Sequence, residues 1–353
     1  ILWINMLNKY SENIFFAYSV FKWNNNAKNV AGVSVVIIGV RKRDNSMKKL
    51  YNEVECKQLS HIPPTLSDSV DNMVKKATKS ISKLPYMRRG NMPNDKEFLR
   101  LSPLEKKDIL EHYPNAVKFI RLQIGADELI NQVERYCYWI SDEDLEEAEK
   151  IMPIKNAIDK CREYRINSKD KTLHVQAEKA HQMREFFECN EMSLVIPIVS
   201  SESREYIPMS FVPDKTIVPN SAQVIYDANL FVFGILTSKM HILWTKHNAG
   251  RLDNRIRYSI FLCYNTFPFP SISDTQKSEI EEAATNVLLA RENYPEKTLA
   301  DLYDPEKMPE DLRTAHEELD AIVESCYPGA PFPNDEARLE CLFKLYEKMT
   351  ANK

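Results

Sequence analysis

The run Leu194-Val195-Ile196-Pro197-Ile198-Val199, then Ser200-Ser201-Glu202-Ser203-Arg204-Glu205, then Tyr206-Ile207-Pro208-Met209-Ser210-Phe211, decides how this chain is read. An apolar run, a polar hexapeptide and a second apolar run predict two strands joined by a short loop. Further on come Phe233-Gly234-Ile235-Leu236-Thr237-Ser238-Lys239-Met240-His241, Ala249-Gly250-Arg251-Leu252 and Arg255-Ile256-Arg257-Tyr258-Ser259. The stretch closes on Tyr264-Asn265-Thr266-Phe267-Pro268-Phe269-Pro270. Strands alternating with short helices from Met192 to Pro270 make a mixed α/β unit.

Outward from this unit, residues 14 to 40 read as a β-hairpin. Ile14-Phe15-Phe16-Ala17-Tyr18 is apolar, Asn24-Asn25-Asn26 is a turn, and Val33 to Val40 is a buried strand run. Two strands alone are marginal in water, so these predict the end of a larger sheet. From Arg41 to about Leu84 the chain turns polar, with Pro63-Pro64 and Lys- and Ser-rich segments, and predicts a linker with at most one short helix. Ser102-Pro103-Leu104-Glu105 predicts a capped helix start, carrying Leu104, Ile109 and Leu110 and stopping before Pro114. Asp142 to Lys150 predicts an acidic helix. The tail predicts further helices, with Ile280, Ala284, Val287 and Leu288 on one face, Leu312, Ala315, Leu319, Ile322 and Val323 on another, then Leu339, Leu342 and Phe343. The expected segments are residues 1–45, a linker at 46–84, a mixed α/β domain at 85–273 and a helical domain at 274–353.

Composition narrows the function classes. The 353 residues, 43% hydrophobic and 28% charged, suffice for several packed domains. No run of eighteen apolar residues occurs, so no transmembrane helix is expected. Ile1-Leu2-Trp3-Ile4-Asn5 has neither a basic start nor a small-residue cleavage site, and the absence of an initiator Met predicts a piece of a longer chain; cysteines odd in number and widely spaced predict a reducing cytoplasm. The seven cysteines form no CxxC pair, and no metal site is expected. The net charge of −4 hides a polarity. Lys239, Lys246, Arg251, Arg255 and Arg257 face only Asp253, a local charge of +4, while residues 276–320 hold 13 acidic and 5 basic side chains. A basic patch beside an acidic helical tail suits DNA bound on one face. The seven glycines are few where average usage would give roughly 25.

The ordered set from Ser193 to Pro270 resembles the target recognition domain of MmeI-like DNA adenine methyltransferases, restriction-modification enzymes carrying methylase and nuclease in one polypeptide. Phe16-Ala17 through Phe21-Lys22-Trp23 to Ala31-Gly32-Val33 and Val36-Ile37-Ile38-Gly39 is similar to the closing strands of that family's methyltransferase domain. Tyr294-Pro295-Glu296-Lys297-Thr298-Leu299 and Leu302-Tyr303-Asp304-Pro305 resemble its C-terminal helical segment. The resemblance implies an α/β (α+β) multidomain architecture: a β-hairpin from a class I methyltransferase sheet, a target recognition domain and a helical C-terminal domain. It implies S-adenosylmethionine as cofactor of the intact parent, with double-stranded DNA and the rest of the parent polypeptide as partners. An amino-methyltransferase needs a Gly-rich cofactor loop and an Asn/Asp-Pro-Pro-Tyr/Phe turn. Pro63-Pro64 lies between Ile62 and Thr65, so neither feature occurs, and no cofactor or catalytic residue is expected in this piece.

Several side chains suit DNA. Phe21 and Trp23 stand where the resemblance places a ring that stacks on a flipped base; packing in the sheet core is the other placement open to them. Ser200, Ser201, Glu202, Ser203 and Arg204 each have a base-edge partner, although a solvated turn would have the same composition. Arg255 and Arg257 flank Ile256, which on a strand puts both guanidiniums on one face beside Lys246, Asn248, Arg251 and Tyr258. That cluster suits phosphate or base contacts, or ion pairs with the acidic tail. Arg204 is the expected base reader and Arg255 and Arg257 the expected phosphate contacts. Arg88 and Arg89, before Gly90, are a second candidate pair. A non-enzymatic protein-interaction module and part of a stand-alone phage-defence methyltransferase are the alternatives.

Overall fold

A computed structural model describes residues 6, 10–23, 33–52, 55–63, 66, 74–189, 191–252 and 255–351. These form two compact units built from discontinuous stretches. The first gathers residues 1–82, 243–271 and 325–353, the second 83–242 and 272–324.

The first unit holds a four-stranded sheet of β1 (Glu12–Trp23), β2 (Val33–Lys42), β3 (Lys48–Tyr51) and β4 (Cys56–Leu59), in the order β2-β1-β3-β4. β1 and β2 pair antiparallel from Glu12–Lys42 to Trp23–Val33, and β3 lies parallel to β1. The expected hairpin is therefore present; its turn at Asn24-Asn25-Asn26 lies outside the described residues. The expectation of a nearly structureless linker at 46–84 is corrected. β3 and β4 extend the sheet, because Leu50 and Ile62 supply apolar side chains that join Ile14 and Ala17 in its core. Val36 and Ile37, expected to be buried, stay 43% and 42% exposed on the edge strand.

Elsewhere in this unit residues 75–82 are bonded to later segments. Asn265 donates to the Ala77 carbonyl at 2.9 Å, Ser82 to the Phe267 carbonyl at 2.6 Å, and the Lys75 amide to the Tyr346 hydroxyl at 3.0 Å. Trp244 is fully buried, donates to Thr266 at 3.1 Å and packs on Phe343 and Tyr346 of the helix Asp335–Thr350.

The second unit contains two sheets. One is β5 (Met87–Arg89), β9 (Ser193–Pro197), β11 (Ser210–Val212) and β12 (Ala222–Ile225), ordered β11-β9-β12-β5 and antiparallel throughout; the other is β6 (Arg100–Leu101), β7 (Ile120–Leu122) and β8 (Tyr136–Tyr138), ordered β6-β8-β7. β9 is buried at all five positions, which explains its unbroken apolar sequence. Val199–Ser201 forms β10. The strand expected over Tyr206–Phe211 begins only at Ser210. Pro208 has no N–H for a ladder, and the side chains of Glu205 and Tyr206 and the carbonyl of Met209 are held by helices instead of a neighbouring strand.

The helix Pro103–His112 starts as the sequence indicates, with Ser102 and Glu105 forming a capping box, and ends before Pro114. The Ser102 amide holds the Glu105 carboxyl below its usual pKa. Its inward side is Ile109; Leu104 is 79% exposed, correcting the expected face. The acidic run at 142–150 is helical only over Leu145–Ala148. Leu230–Thr237, apolar on every side, packs against Asp274–Glu292. Gly234 permits this: a Cβ there would lie 2.8 Å from Ile280 Cγ2 and 3.2 Å from Ala284 Cβ. Ile280, Ala284, Val287, Leu312, Ala315, Leu319 and Val323 are buried, as the apolar stripes require, and Leu288 and Ile322 are half-buried.

The most connected polar group of this unit is Arg165, 1% exposed at the end of the helix Met152–Ile166. Its Nε donates to the Asn94 carbonyl at 3.1 Å, Nη1 to Gln176 and Lys179 at 2.8 and 2.9 Å, and Nη2 to Pro93 and Gln182 at 3.0 and 2.8 Å. Five carbonyls thus depend on one guanidinium. Arg165→Met would strand them, and the expected cost is about 3 kcal/mol, read as a lower urea midpoint at unchanged slope. Arg165→Lys, with three donors, should fall between. A variant as stable as wild type would contradict this role.

Buried histidines set an acid limit. Burial pushes His241 down to about 3 and His316 well below 6.5. Both stay neutral in the folded chain, while the unfolded chain binds protons below about 6.5, so stability is lost as pH falls from 6.5 toward 3. Denaturant midpoints should decline over that window, and His241→Gln should flatten the decline. An unchanged profile in the variant would refute the assignment to His241.

Candidate nucleic-acid interface

Within the first unit the basic cluster is carried by the hairpin of Gly250–Leu252 and Arg255–Arg257, with Gly250 opposite Arg257 and Leu252 opposite Arg255. Ile256 is 1% exposed and points inward, while Arg255 and Arg257 are exposed on the other face. The period-two reading therefore holds for both arginines. The same period sends Tyr258 inward with Ile256: it is 2% exposed, and burial drives its hydroxyl pKa up. Tyr258 is thus corrected from a DNA-facing candidate to a core residue. Asn248 donates its amide to the Trp244 carbonyl at 2.9 Å, capping its own helix, and Lys246 is half-buried. Arg251 belongs to the first hairpin strand; its side chain lies outside the described residues. On the sheet of this unit, Phe21 is half-buried opposite Val35, and Trp23 is paired with Val33, its side chain undescribed.

Within the second unit, Ser200 is buried at 4% with no hydrogen-bond partner for its hydroxyl among the described residues. Ser201 and Ser203 hydrogen-bond to each other at 2.8 Å, and Glu202 and Ser203 are exposed. Arg204 is half-buried; burial lowers its pKa, with Asp304 opposing. This loop does not turn tightly between adjacent strands, because β9 pairs with β11 across the whole intervening segment.

Arg88 and Arg89 lie on opposite faces of β5. The Arg88 guanidinium sits 3.3 Å from the centroid of the Phe187 ring, and Arg89 Nε donates to the Asn220 carbonyl at 3.2 Å. Asn91, 1% exposed, grips Phe187 on both sides: Nδ2 donates to its carbonyl at 2.7 Å and Oδ1 accepts its amide at 3.0 Å. Gly90 lets β5 pass close to the neighbouring backbone, since a Cβ there would be 2.3 Å from the Pro219 carbonyl oxygen. Phe187 escaped the sequence reading because nothing local links it to a strand almost a hundred residues earlier. Asn91, a polar residue directly after the basic pair and its glycine, was the one available signal.

Residues 1–52 match the family described as "MmeI, DNA-methyltransferase domain", residues 68–271 "MmeI, target recognition domain" and residues 272–352 "MmeI, C-terminal domain". DNA methyltransferase A of Bacillus subtilis (strain 168) is 44% identical over 351 residues, which is 99% of this chain and 40% of that protein. The solved structure of the Type IIL restriction-modification enzyme MmeI in complex with DNA matches with a TM-score of 0.95 and 36% identity, over 99% of this chain and 48% of that one. This chain therefore spans less than half the length of each. The methyltransferase, target recognition and C-terminal family models match successive segments of the chain, and the chain belongs to the MmeI family.

Proposed function

We propose that this chain is the DNA-recognising portion of an S-adenosylmethionine-dependent adenine-N6 DNA methyltransferase of a restriction-modification system. It works in the cytoplasm, bound to double-stranded DNA and joined to the rest of its parent polypeptide. The observation that carries this reading is the likeness, over 99% of this chain and 48% of the other, to an enzyme solved in complex with DNA. Among the described residues no helix is long and apolar enough to cross a membrane.

Chemistry supports the reading at the hairpin. Arg255 and Arg257 project two exposed guanidiniums from one strand face, with Ile256 anchoring that strand below them. An arginine so presented can neutralise a phosphate or fork onto a guanine edge. Arg204 with Ser201, Glu202 and Ser203, and Arg88 with Arg89, are further contact groups, while Ser200, 4% exposed, is corrected from a base-facing candidate to a buried residue; Lys246 and Arg251 add to the hairpin's charge, and Asn248 is a neutral polar neighbour. Phe21 and Trp23 are the candidates for stacking on a flipped base.

Methyl transfer belongs to the remainder of the parent. S-adenosylmethionine supplies the methyl group when bound, but the described residues do not fit it. Gly39 lies against the Phe16 ring, Gly90 against the Val218 and Pro219 carbonyls, Gly125 against Ser221 and Gly234 against Ile280; Gly250 and Gly329 have room for a side chain, but each stands alone in the sequence, so the described residues form no Gly-rich cofactor loop. No transfer step is assigned to these residues.

The test uses the intact parent, its site first found by sequencing methylated DNA from an expressing host. Duplex affinity should fall steeply with salt through counterion release. Alanine at a phosphate-contacting arginine should weaken binding to all duplexes and flatten the salt slope by about one unit, whereas a base reader should cost ~1–3 kcal/mol on the cognate site alone. Alanine at Arg255 and Arg257 together should produce one or both effects. Unaltered affinity and methylation pattern in that double variant would remove the hairpin from the interface, and salt-independent binding would favour a protein-interaction module.

A further inference from the structure

The segment leading out of the Ser200–Arg204 loop is held by side chains of the C-terminal helices. Glu205 accepts from Arg313 Nη1 at 2.6 Å. The Tyr206 hydroxyl donates to Asp320 Oδ2 at 2.7 Å, and its ring stacks on His316, centroids 4.0 Å apart and planes 20° from parallel. Arg291 Nη1 donates to the Met209 carbonyl at 2.9 Å and Nε to the Tyr303 hydroxyl at 2.7 Å; that hydroxyl meets His316 Nε2 at 2.8 Å. Asp320 Oδ1 also accepts the Lys239 amide at 2.6 Å.

Arg313, His316 and Asp320 recur three and four residues apart, so the helix Glu310–Ser325 presents them along one face. Their three contacts fall on two consecutive residues, Glu205 and Tyr206, directly after Arg204. At its other end the loop leaves β10. Ser200 and Ser201 belong to β10 itself, so only Glu202, Ser203 and Arg204 bridge the two ends and have little freedom, and a recognition group must be held to within about 0.5 Å to discriminate between partners. We propose that Arg313, His316 and Asp320 are positioning residues for target recognition: they set the pose of the Ser200–Arg204 loop, and through it the choice of DNA site, without touching DNA. This rests on the proposal that the chain recognises DNA.

The experiment compares duplexes carrying the parent's methylated site with unrelated duplexes of equal length, using the intact parent. Arg313→Glu and Asp320→Ala should each lower the ratio of cognate to unrelated affinity about tenfold, with the unrelated salt slope unchanged. The swapped pair E205R/R313E keeps total charge and should return the ratio toward wild type. Should Asp320→Ala fail to fold, Tyr206→Phe removes the same hydrogen bond while keeping the ring on His316, and should lower the ratio in the same direction. The proposal is overturned if the ratio holds in every single variant, if cognate and unrelated binding fall together, or if the swap recovers nothing. Wild-type parent that binds no duplex in a salt-dependent way would overturn the proposed function itself, and that result is read before any substitution is made.

Discussion

A single guanidinium organises the second unit. Burying a charge without a carboxylate is tolerable only if its donors are all spent on good acceptors. Arg165 meets that condition by gathering five carbonyls from residues 93–94 and 176–182. The two stretches then run on as a zipper. The Arg184 amide donates to the Met92 carbonyl at 2.8 Å, Glu185 accepts the Met92 amide at 2.9 Å, and Asn91 grips Phe187. At the end of the zipper the Phe187 ring carries Arg88. The place of the half-buried Arg88 thus depends, through successive hydrogen bonds, on a fully buried arginine.

What the sequence made legible was what short-range rules govern. The capping box at Ser102 and Glu105, the apolar strand at β9 and the alternation about Ile256 each depend on neighbours within four residues. What stayed hidden depended on distant partners. Tyr206–Met209 has strand-like composition but takes its partners from helices 82 and 114 residues later. Arg165 looks like any solvated helical arginine until the carbonyls around it are known. Tyr258 is a different kind of miss: the period that exposes Arg255 and Arg257 already assigned it to the inside, and its polar hydroxyl masked that.

The acidic tail also reads differently once folded. Its charge is partly consumed at home. Asp311 accepts from Tyr294 and Asn293, and Asp320 from Tyr206 and the Lys239 amide. These carboxylates act as hydrogen-bond acceptors that fix loops and helix starts. A partner for the whole acidic stretch is therefore not required to explain why it is acidic.

The bond from the Lys75 amide to the Tyr346 hydroxyl spans 271 residues and lies inside one compact unit. The entropy of closing so long a loop grows only as the logarithm of its length, so the final stability is little affected. The order of events is affected far more. During synthesis the N-terminal stretch leaves the ribosome long before the helix Asp335–Thr350 that carries Tyr346, and Trp244 likewise waits for Phe343. The second unit, whose last segment ends at residue 324, can close first. Late-made contacts of this kind favour slow maturation, during which the apolar groups awaiting Tyr346 and Phe343 need protection from one another and from other chains.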